Sequence, residues 1–365
     1  MTMDIFYNPR PTPPALAFHR RLPGYAPTPL VDAPALAARL GVGRLSLKLE
    51  TDRLGLPSFK ILGASFATYR ALCARLGEEP AWATLDDLRA AVARLRPLTL
   101  LAATDGNHGR AVARMAALLG LRARIFVPAD MAPARQAAIA GEGAELVVVD
   151  GSYDEAVALS AAAAGPEAIV ISDTAWPGYE QTPRDVIAGY ATIFQEADAA
   201  LGGRPDLVAV QMGVGALAAA VVGHYRQGGG PRVVGVEPDQ AACVLASLRA
   251  GQISEVPGPH RSIMAGLNCG LPSPVAWPII SAGLDAALAV PDDLARVAMR
   301  ALAAEGVVAG ETGAAGVAGL LALCDDAEAR ARLVIGPSTH AMAIITEGAT
   351  DPEAYAEIVA DTLRV

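Results

Sequence analysis

What constrains this chain most is its alternation. Apolar runs of strand length are separated, for most of the chain, by amphipathic stretches of helical period, and that order leaves few architectures open. Strands are expected at 45–50, 99–103, 124–128, 145–149, 168–172, 207–212, 233–237 and 341–346, with helices at 107–119, 133–140, 153–163, 183–200 and 216–226. Strands joined through helices run parallel, so the expected class is α/β: open, mostly parallel twisted sheets flanked by helices. At 365 residues, 53% of them hydrophobic, the chain can build two packed lobes with a cleft between them.

Several function classes drop out. No unbroken apolar stretch approaches the ~18 residues a membrane span needs, and residues 1–14 mix Asp4, Asn8, Arg10 and prolines where a secretory signal carries a basic end and an apolar core. A net charge of −9 argues against nucleic acid as a partner. Cys73, Cys243, Cys269 and Cys324, like His108, His224 and His340, lack metal-type spacing, so no metal is expected and reduced thiols in a cytoplasm fit. A small polar substrate remains. The polar stretch 77–96 reads as a surface excursion without chemistry, and Gly202 to Pro205 as a linker between two βα series.

Of the 29 basic residues only Lys48 and Lys60 are lysine. Arginine serves for ordinary surface charge but cannot form an imine, whereas an amine can, so each lysine is a marked residue. Lys60 lies in PSFKILG, after a strand and a turn. Ser58 can cap a helix whose first turn holds Lys60, where the local positive potential disfavours the protonated amine.

Two more segments carry polar chemistry at strand ends. ATDGNHGR, 103–110, follows the apolar strand LTLLAA and opens a helix, which sets side chains and free amides at the carboxyl edge of a sheet. QMGVGALA, 211–218, is a strand followed by glycines and a small-residue helix, a loop that can hold a phosphate on backbone amides alone. Gly213, Gly215 and Ala218 also match GxGxxA, and Glu237 ends the next strand where a ribose-binding acid belongs, so an NAD-dependent oxidoreductase is the rival reading. The lysine decides against it. Pyridoxal phosphate asks for an imine lysine, a phosphate cup and a polar contact to its ring hydroxyl, and the chain offers all three.

On these motifs the chain resembles the fold type II, tryptophan-synthase-β-like, pyridoxal phosphate enzymes, and within them the diaminopropionate ammonia-lyases. GLPSFKILGAS, ATDGNHGRAVA, SDTAWPGYEQTPRDVIAGYATI, QMGVGALA, SIMAGLNCG, GETGAAG and ITEGATDP carry the resemblance over most of the chain. It implies two lobes with the active site in the cleft: residues 1–66 plus 186–365 as a large cofactor-binding domain, and 67–185 as a small inserted one. It also implies a cytoplasmic homodimer that eliminates ammonia from D- or L-2,3-diaminopropionate to give pyruvate. A serine or threonine dehydratase-like or cysteine-synthase-like activity is the second reading. PRDVIAGY and LKLETDR depart from the family pattern.

Residue by residue, the resemblance implies Lys60 as the lysine that carries the cofactor and Asn107 as the contact to its ring hydroxyl. Gly213, Val214, Gly215, Ala216 and Leu217 would supply phosphate-binding amides, and Thr346 a hydroxyl for the pyridine nitrogen, with Glu347 adjacent. Thr104, Asp105, Gly106, His108 and Asp173 would line the substrate pocket. A substrate with a second amine favours carboxylates there. Asp105 is implied as the base toward the D isomer and Lys60 toward the L isomer, with Asp173 or Lys60 as the acid for the leaving amine; helix and turn caps are the other reading of the two aspartates. Cys243 and Cys269 match family positions that can lie close, open to a reversible disulfide or to two buried thiols.

Overall fold

A computed structural model describes residues 15–360 apart from 152, 227 and 228; the opening residues 1–14, read above for a signal, lie outside them. Ten strands among the described residues form two sheets. In chain order they are β1 (Leu30–Asp32), β2 (Arg44–Leu49), β3 (Thr99–Ala103), β4 (Arg122–Pro128), β5 (Glu145–Val149), β6 (Ala168–Val170), β7 (Leu207–Gln211), β8 (Arg232–Pro238), β9 (Ala286–Val290) and β10 (His340–Ile345). One sheet has the order β1-β2-β10-β7-β8-β9 and the other β5-β4-β3-β6. Every pairing is parallel except β1 with β2.

The eight expected strands are all present. β1 and β9 were not expected: β1 is three residues long, and DAALAV of β9 reads equally as helix because alanine favours it. The strand expected at 168–172 stops at Val170. There the Tyr179 hydroxyl donates to the Val170 carbonyl at 2.7 Å and accepts from the Ser172 amide at 3.0 Å, ending the ladder.

Burial follows the pleat. Along β7, Val208 and Val210 enter one apolar cluster and Leu207 and Ala209 another, so both faces of the larger sheet are covered, as a parallel sheet requires. The stretch 77–96 is less superficial than expected. Thr84 and Asp87 form a reciprocal capping box on the Leu85–Val92 helix, and Trp82, Leu88 and Val92 are buried against Phe18 and Tyr69.

Two helices place the site. A Cβ on Gly63 would meet the Tyr190 ring at 2.5 Å, and one on Gly189 would meet the Leu62 carbonyl oxygen at 2.6 Å. The Lys60–Leu76 and Gln181–Leu201 helices therefore cross on bare backbone, which explains the glycine in the departing segment PRDVIAGY. Lys60 sits one turn from that crossing.

The other departing segment, LKLETDR, makes a buried ion network. Lys48 donates to Glu196 at 2.7 Å, and Arg53 donates to Glu196 at 2.7 Å and to Glu50 at 2.7 Å, with all four side chains almost fully enclosed. Lys48 is thus a structural cation tying β2 to the Gln181–Leu201 helix. Burial alone would raise the Glu196 carboxyl, but Arg53 and Lys48 hold it down at about 2. Its stabilising contribution is complete above 4.5, the ordinary value, and is lost as pH falls through about 2. Glu196→Ala leaves two buried cations, Lys48 and Arg53, with Glu50 as the one remaining carboxylate of the network and is expected to lower stability by about 3–5 kcal/mol in urea unfolding; a change below about 0.5 kcal/mol, the size of an ordinary surface substitution, contradicts this reading.

Candidate active site

The marked segments meet at the carboxyl ends of β3, β6, β7 and β10, around a cleft with about 870 Å³ of atom-free space, open solvent at its mouth included. Every site residue read from the sequence lines it: Lys60, Thr104, Asp105, Gly106, Asn107, His108, Asp173, Gly213, Val214, Gly215, Ala216, Leu217 and Thr346. Phe59, Arg135, Tyr153, Tyr190, Gln211, Cys269, Thr312 and Glu347 line it too.

Lys60 opens its helix, but Ser58 does not cap it. Ser58 instead bridges Glu347, while the Phe59 amide donates to Thr346 O at 3.1 Å and the Gly348 amide to Pro57 O at 3.0 Å. The SFK segment is thereby stitched to the end of β10, which brings Lys60 and Thr346 together from opposite ends of the chain. Its amine donates to Asp173 Oδ2 at 2.7 Å. The expected helix-terminus effect is overridden: burial pushes the amine toward neutrality, yet the Asp173 charge raises it above the usual lysine range. Asp173 shows the converse. Burial favours its neutral form, but Lys60 holds it at about 2.

The 104–109 loop turns on Gly106, whose φ of 147° suits glycine alone. This lets the Thr104 hydroxyl accept from the amides of Gly106 at 2.9 Å and Gly109 at 3.0 Å. A Cβ on Gly109 would lie 2.3 Å from Thr104 Cγ2, so the loop packs on the bare helix. Asp105, half-buried, is raised to about 7, chiefly by burial, with Arg135 opposing and Asp173 and Asp130 reinforcing the rise. His108 donates from Nε2 to Ile171 O at 2.7 Å, and burial lowers its pKa, so the ring is neutral with a bare Nδ1. Asn107 Nδ2 donates to Glu347 Oε2, leaving a second amide hydrogen for another acceptor.

The glycine loop caps the Ala216–Tyr225 helix without any side-chain hydrogen bond, Gly215 taking φ 91°. A Cβ on Gly213 would come within 3.1 Å of Cys269 Sγ and 3.2 Å of Gly266 O. The residues that open this helix line the cavity, and a helix start leaves its first amides without intrahelical partners. Glu237 is fully buried and accepts from the amides of Val244 and Leu245 at 2.8 Å, so it caps the Cys243–Ala250 helix and is not free to hold a ribose. That removes the second half of the dinucleotide reading. Cys243 and Cys269 are both free, buried thiols beside the loop.

The donors on the cavity wall fit pyridoxal phosphate group by group: an amine for its aldehyde, an amide cup for its phosphate, an amide hydrogen at Asn107 for its ring hydroxyl, and a hydroxyl at Thr346 for its ring nitrogen. Sequence reasoning missed Phe59, Tyr190 and Arg135 as lining residues. The first two read as core, and one arginine among many carries no signal.

Comparison with known proteins agrees with this chemistry. The family model described as pyridoxal-phosphate dependent enzyme matches residues 21–337. The diaminopropionate ammonia-lyase of Salmonella typhimurium is 37% identical, over 94% of this chain and 90% of its own, and that of Escherichia coli is 35% identical over the same shares. The crystal structure of the Escherichia coli enzyme in complex with D-serine superposes with a TM-score of 0.88 at 34% identity, covering 95% of this chain and 91% of that one. With a matching cofactor site and relatives this similar along nearly its whole length, the chain belongs to the pyridoxal-phosphate dependent enzymes and, among them, to the diaminopropionate ammonia-lyase family.

Proposed function

We propose that this protein is a pyridoxal-phosphate dependent ammonia-lyase that takes 2,3-diaminopropionate to pyruvate and two ammonia molecules. The observation that carries the reading is the pairing of Lys60 with Asp173 at 2.7 Å, with Asp105 on the same cavity wall. A neutral β-hydroxyl, as in serine or threonine, carries no charge to attract carboxylates, whereas a β-amine must be protonated before it departs as ammonia, and that cation is drawn to carboxylates.

The cofactor, when bound, supplies an electron sink that acidifies the substrate Cα–H. The residues do the rest. The amides from Gly213 to Leu217 hold the phosphate, Asn107 Nδ2 and Thr346 Oγ1 orient the ring, and Thr104 and Gly106 shape the pocket rim beside the substrate. Lys60 Nζ takes the Cα proton of the L isomer and Asp105 that of the D isomer. Asp173 holds the proton for the leaving β-amine. Burial favours its neutral form and the Lys60 charge is the largest influence that holds it at about 2; when that charge is withdrawn, burial weighs more heavily and moves the carboxyl toward holding a proton. His108, neutral, offers Nδ1 as an acceptor at the pocket wall. Aminoacrylate, once released, takes up water to give pyruvate and the second ammonia.

The large domain is read as 1–66 plus 186–365 and the small one as 67–185, supported by the four-stranded sheet lying wholly within 67–185. Family resemblance supports a homodimer, for which sedimentation is the direct measurement, and four cysteines without metal-type spacing support a cytoplasmic location. No helix among the described residues is long and apolar enough to cross a membrane.

Pyruvate release from D- and L-diaminopropionate, set against serine and threonine, tests the substrate. Faster turnover of either hydroxy amino acid overturns the reading.

The raised Asp105 carboxyl sets a pH dependence. A carboxyl at about 7 in the folded chain and 3.8 unfolded keeps a proton between those values that the unfolded chain releases. Stability therefore falls as pH climbs from 3.8 to about 7 and is level above. As a base, Asp105 works only when ionised, so kcat/KM for the D isomer is expected to rise through about 7, and Asp105→Asn to remove that limb from the profile measured with the same substrate. A limb unchanged in the variant contradicts the assignment.

A further inference from the structure

Glu347 stands two residues beyond β10, buried at 3% exposure and yet on the cavity wall. Two glycines of the GETGAAG segment make room for it. A Cβ on Gly310 would come within 3.0 Å of Glu347 Oε1, and one on Gly313 would collide with the Glu347 carbonyl oxygen. The Gly310 amide donates to that carbonyl at 3.2 Å, and the Glu347 backbone also bridges Ser58. The residue is thereby fixed from its backbone outward.

Its two carboxylate oxygens have separate duties. Oε1 accepts from the Thr312 amide at 3.2 Å, a backbone donor that cannot turn over, and Oε2 accepts from Asn107 Nδ2. Asn107 opens its helix without capping it, and among the described residues Glu347 is the one hydrogen-bond partner of its side chain. A carboxylate only accepts, and an amide oxygen set against it would be repelled. Glu347 therefore decides which end of the Asn107 amide comes forward, although the two residues lie 240 apart in sequence.

We infer that Glu347 is a positioning residue that holds Asn107 as a hydrogen-bond donor and thereby keeps the cofactor's ring oxygen as the anion. Asn107 Nδ2 has a second hydrogen to give, and an oxygen that receives it is favoured without a proton of its own. An anionic ring oxygen beside the imine nitrogen keeps that nitrogen protonated, which opens the imine carbon to the substrate's amine.

The inference rests on the cofactor reading proposed above. The test is the absorption spectrum of the holoenzyme: a protonated imine beside an anionic ring oxygen absorbs in the visible, and a neutral ring hydroxyl moves the band to the near ultraviolet. The wild type is expected to show the visible band as its main one. In Glu347→Gln, nearly the same in shape, the single oxygen goes to the fixed Thr312 amide and the NH₂ group meets Asn107. The Asn107 amide then turns over, its oxygen stands where Nδ2 stood, and the ring oxygen keeps a proton to donate to it. The ratio of visible to near-ultraviolet absorbance is expected to fall at least about tenfold, the worth of one hydrogen bond to a charged group. Asn107→Ala should produce the same change, and Glu347→Gln added to it should move the ratio no further, since Glu347 acts through Asn107. A ratio unmoved in Glu347→Gln with cofactor bound, or one that falls again when Glu347→Gln is added to Asn107→Ala, overturns the inference. A wild-type holoenzyme whose main band is in the near ultraviolet overturns it without any variant. Failure of borohydride to fix the cofactor at Lys60 overturns this inference and the cofactor reading together; fixation with an unmoved ratio overturns only this one.

Discussion

Lys60→Ala is expected to lower pyruvate release by at least about 10⁴-fold, because it removes both the amine that holds the cofactor and the base at Cα of the L isomer. The geometry makes this more than the loss of one cation. Lys60 Nζ is 2.7 Å from Asp173, whose side chain is buried, so the substitution also leaves a buried carboxylate without its cation. Asp173 in Lys60→Ala should titrate above its paired value of about 2, since burial then loses its largest opponent. Lys60→Arg separates the two effects. A guanidinium restores the charge opposite Asp173 but cannot form a carbon–nitrogen double bond with an aldehyde. Loss of activity in both variants, with stability recovered in the arginine one, is the expected pattern; activity retained in Lys60→Arg contradicts the assignment.

Asp105→Asn is expected to depress kcat for D-diaminopropionate by about 10² to 10⁴-fold, the usual worth of a positioned general base, with a much smaller loss on the L isomer. Asparagine keeps the shape of the side chain and removes its basicity. Because the carboxyl lies near neutrality, at about 7, it is poised to take and return a proton at working pH. Steady-state rates on the two isomers, measured on one preparation, decide the matter. Equal losses mean that the residue supports the loop and does not act on the D substrate.

Much of this site was legible in the sequence, for a physical reason. Backbone-dictated features leave marks: the glycines at 106, 109 and 215 are forced by positive φ or by contacts that a Cβ would violate, and a Cβ at 213 would be tightly packed. The strand-loop-helix grammar then places those loops at one sheet edge. Lysine scarcity marked Lys60, although the same scarcity also marked Lys48, whose buried ion network only the three-dimensional contacts reveal. Ser58 looked like a helix cap because its spacing was right, and the pairing of that segment with the end of β10 claimed it instead. Glu237 stood where a ribose acid belongs and proved to be a helix cap, because a carboxylate at a strand end serves either purpose and spacing cannot distinguish them. The lining residues Arg135 and Tyr190 come from helices with ordinary patterns, so only the crossing of elements brings them to the cavity.

Borohydride reduction of the holoenzyme followed by peptide mass spectrometry tests the central assignment most directly. A phosphopyridoxyl group fixed on the peptide holding Lys60, with none on that holding Lys48, is the expected result. A cofactor that stays unattached, or that attaches anywhere other than Lys60, contradicts it.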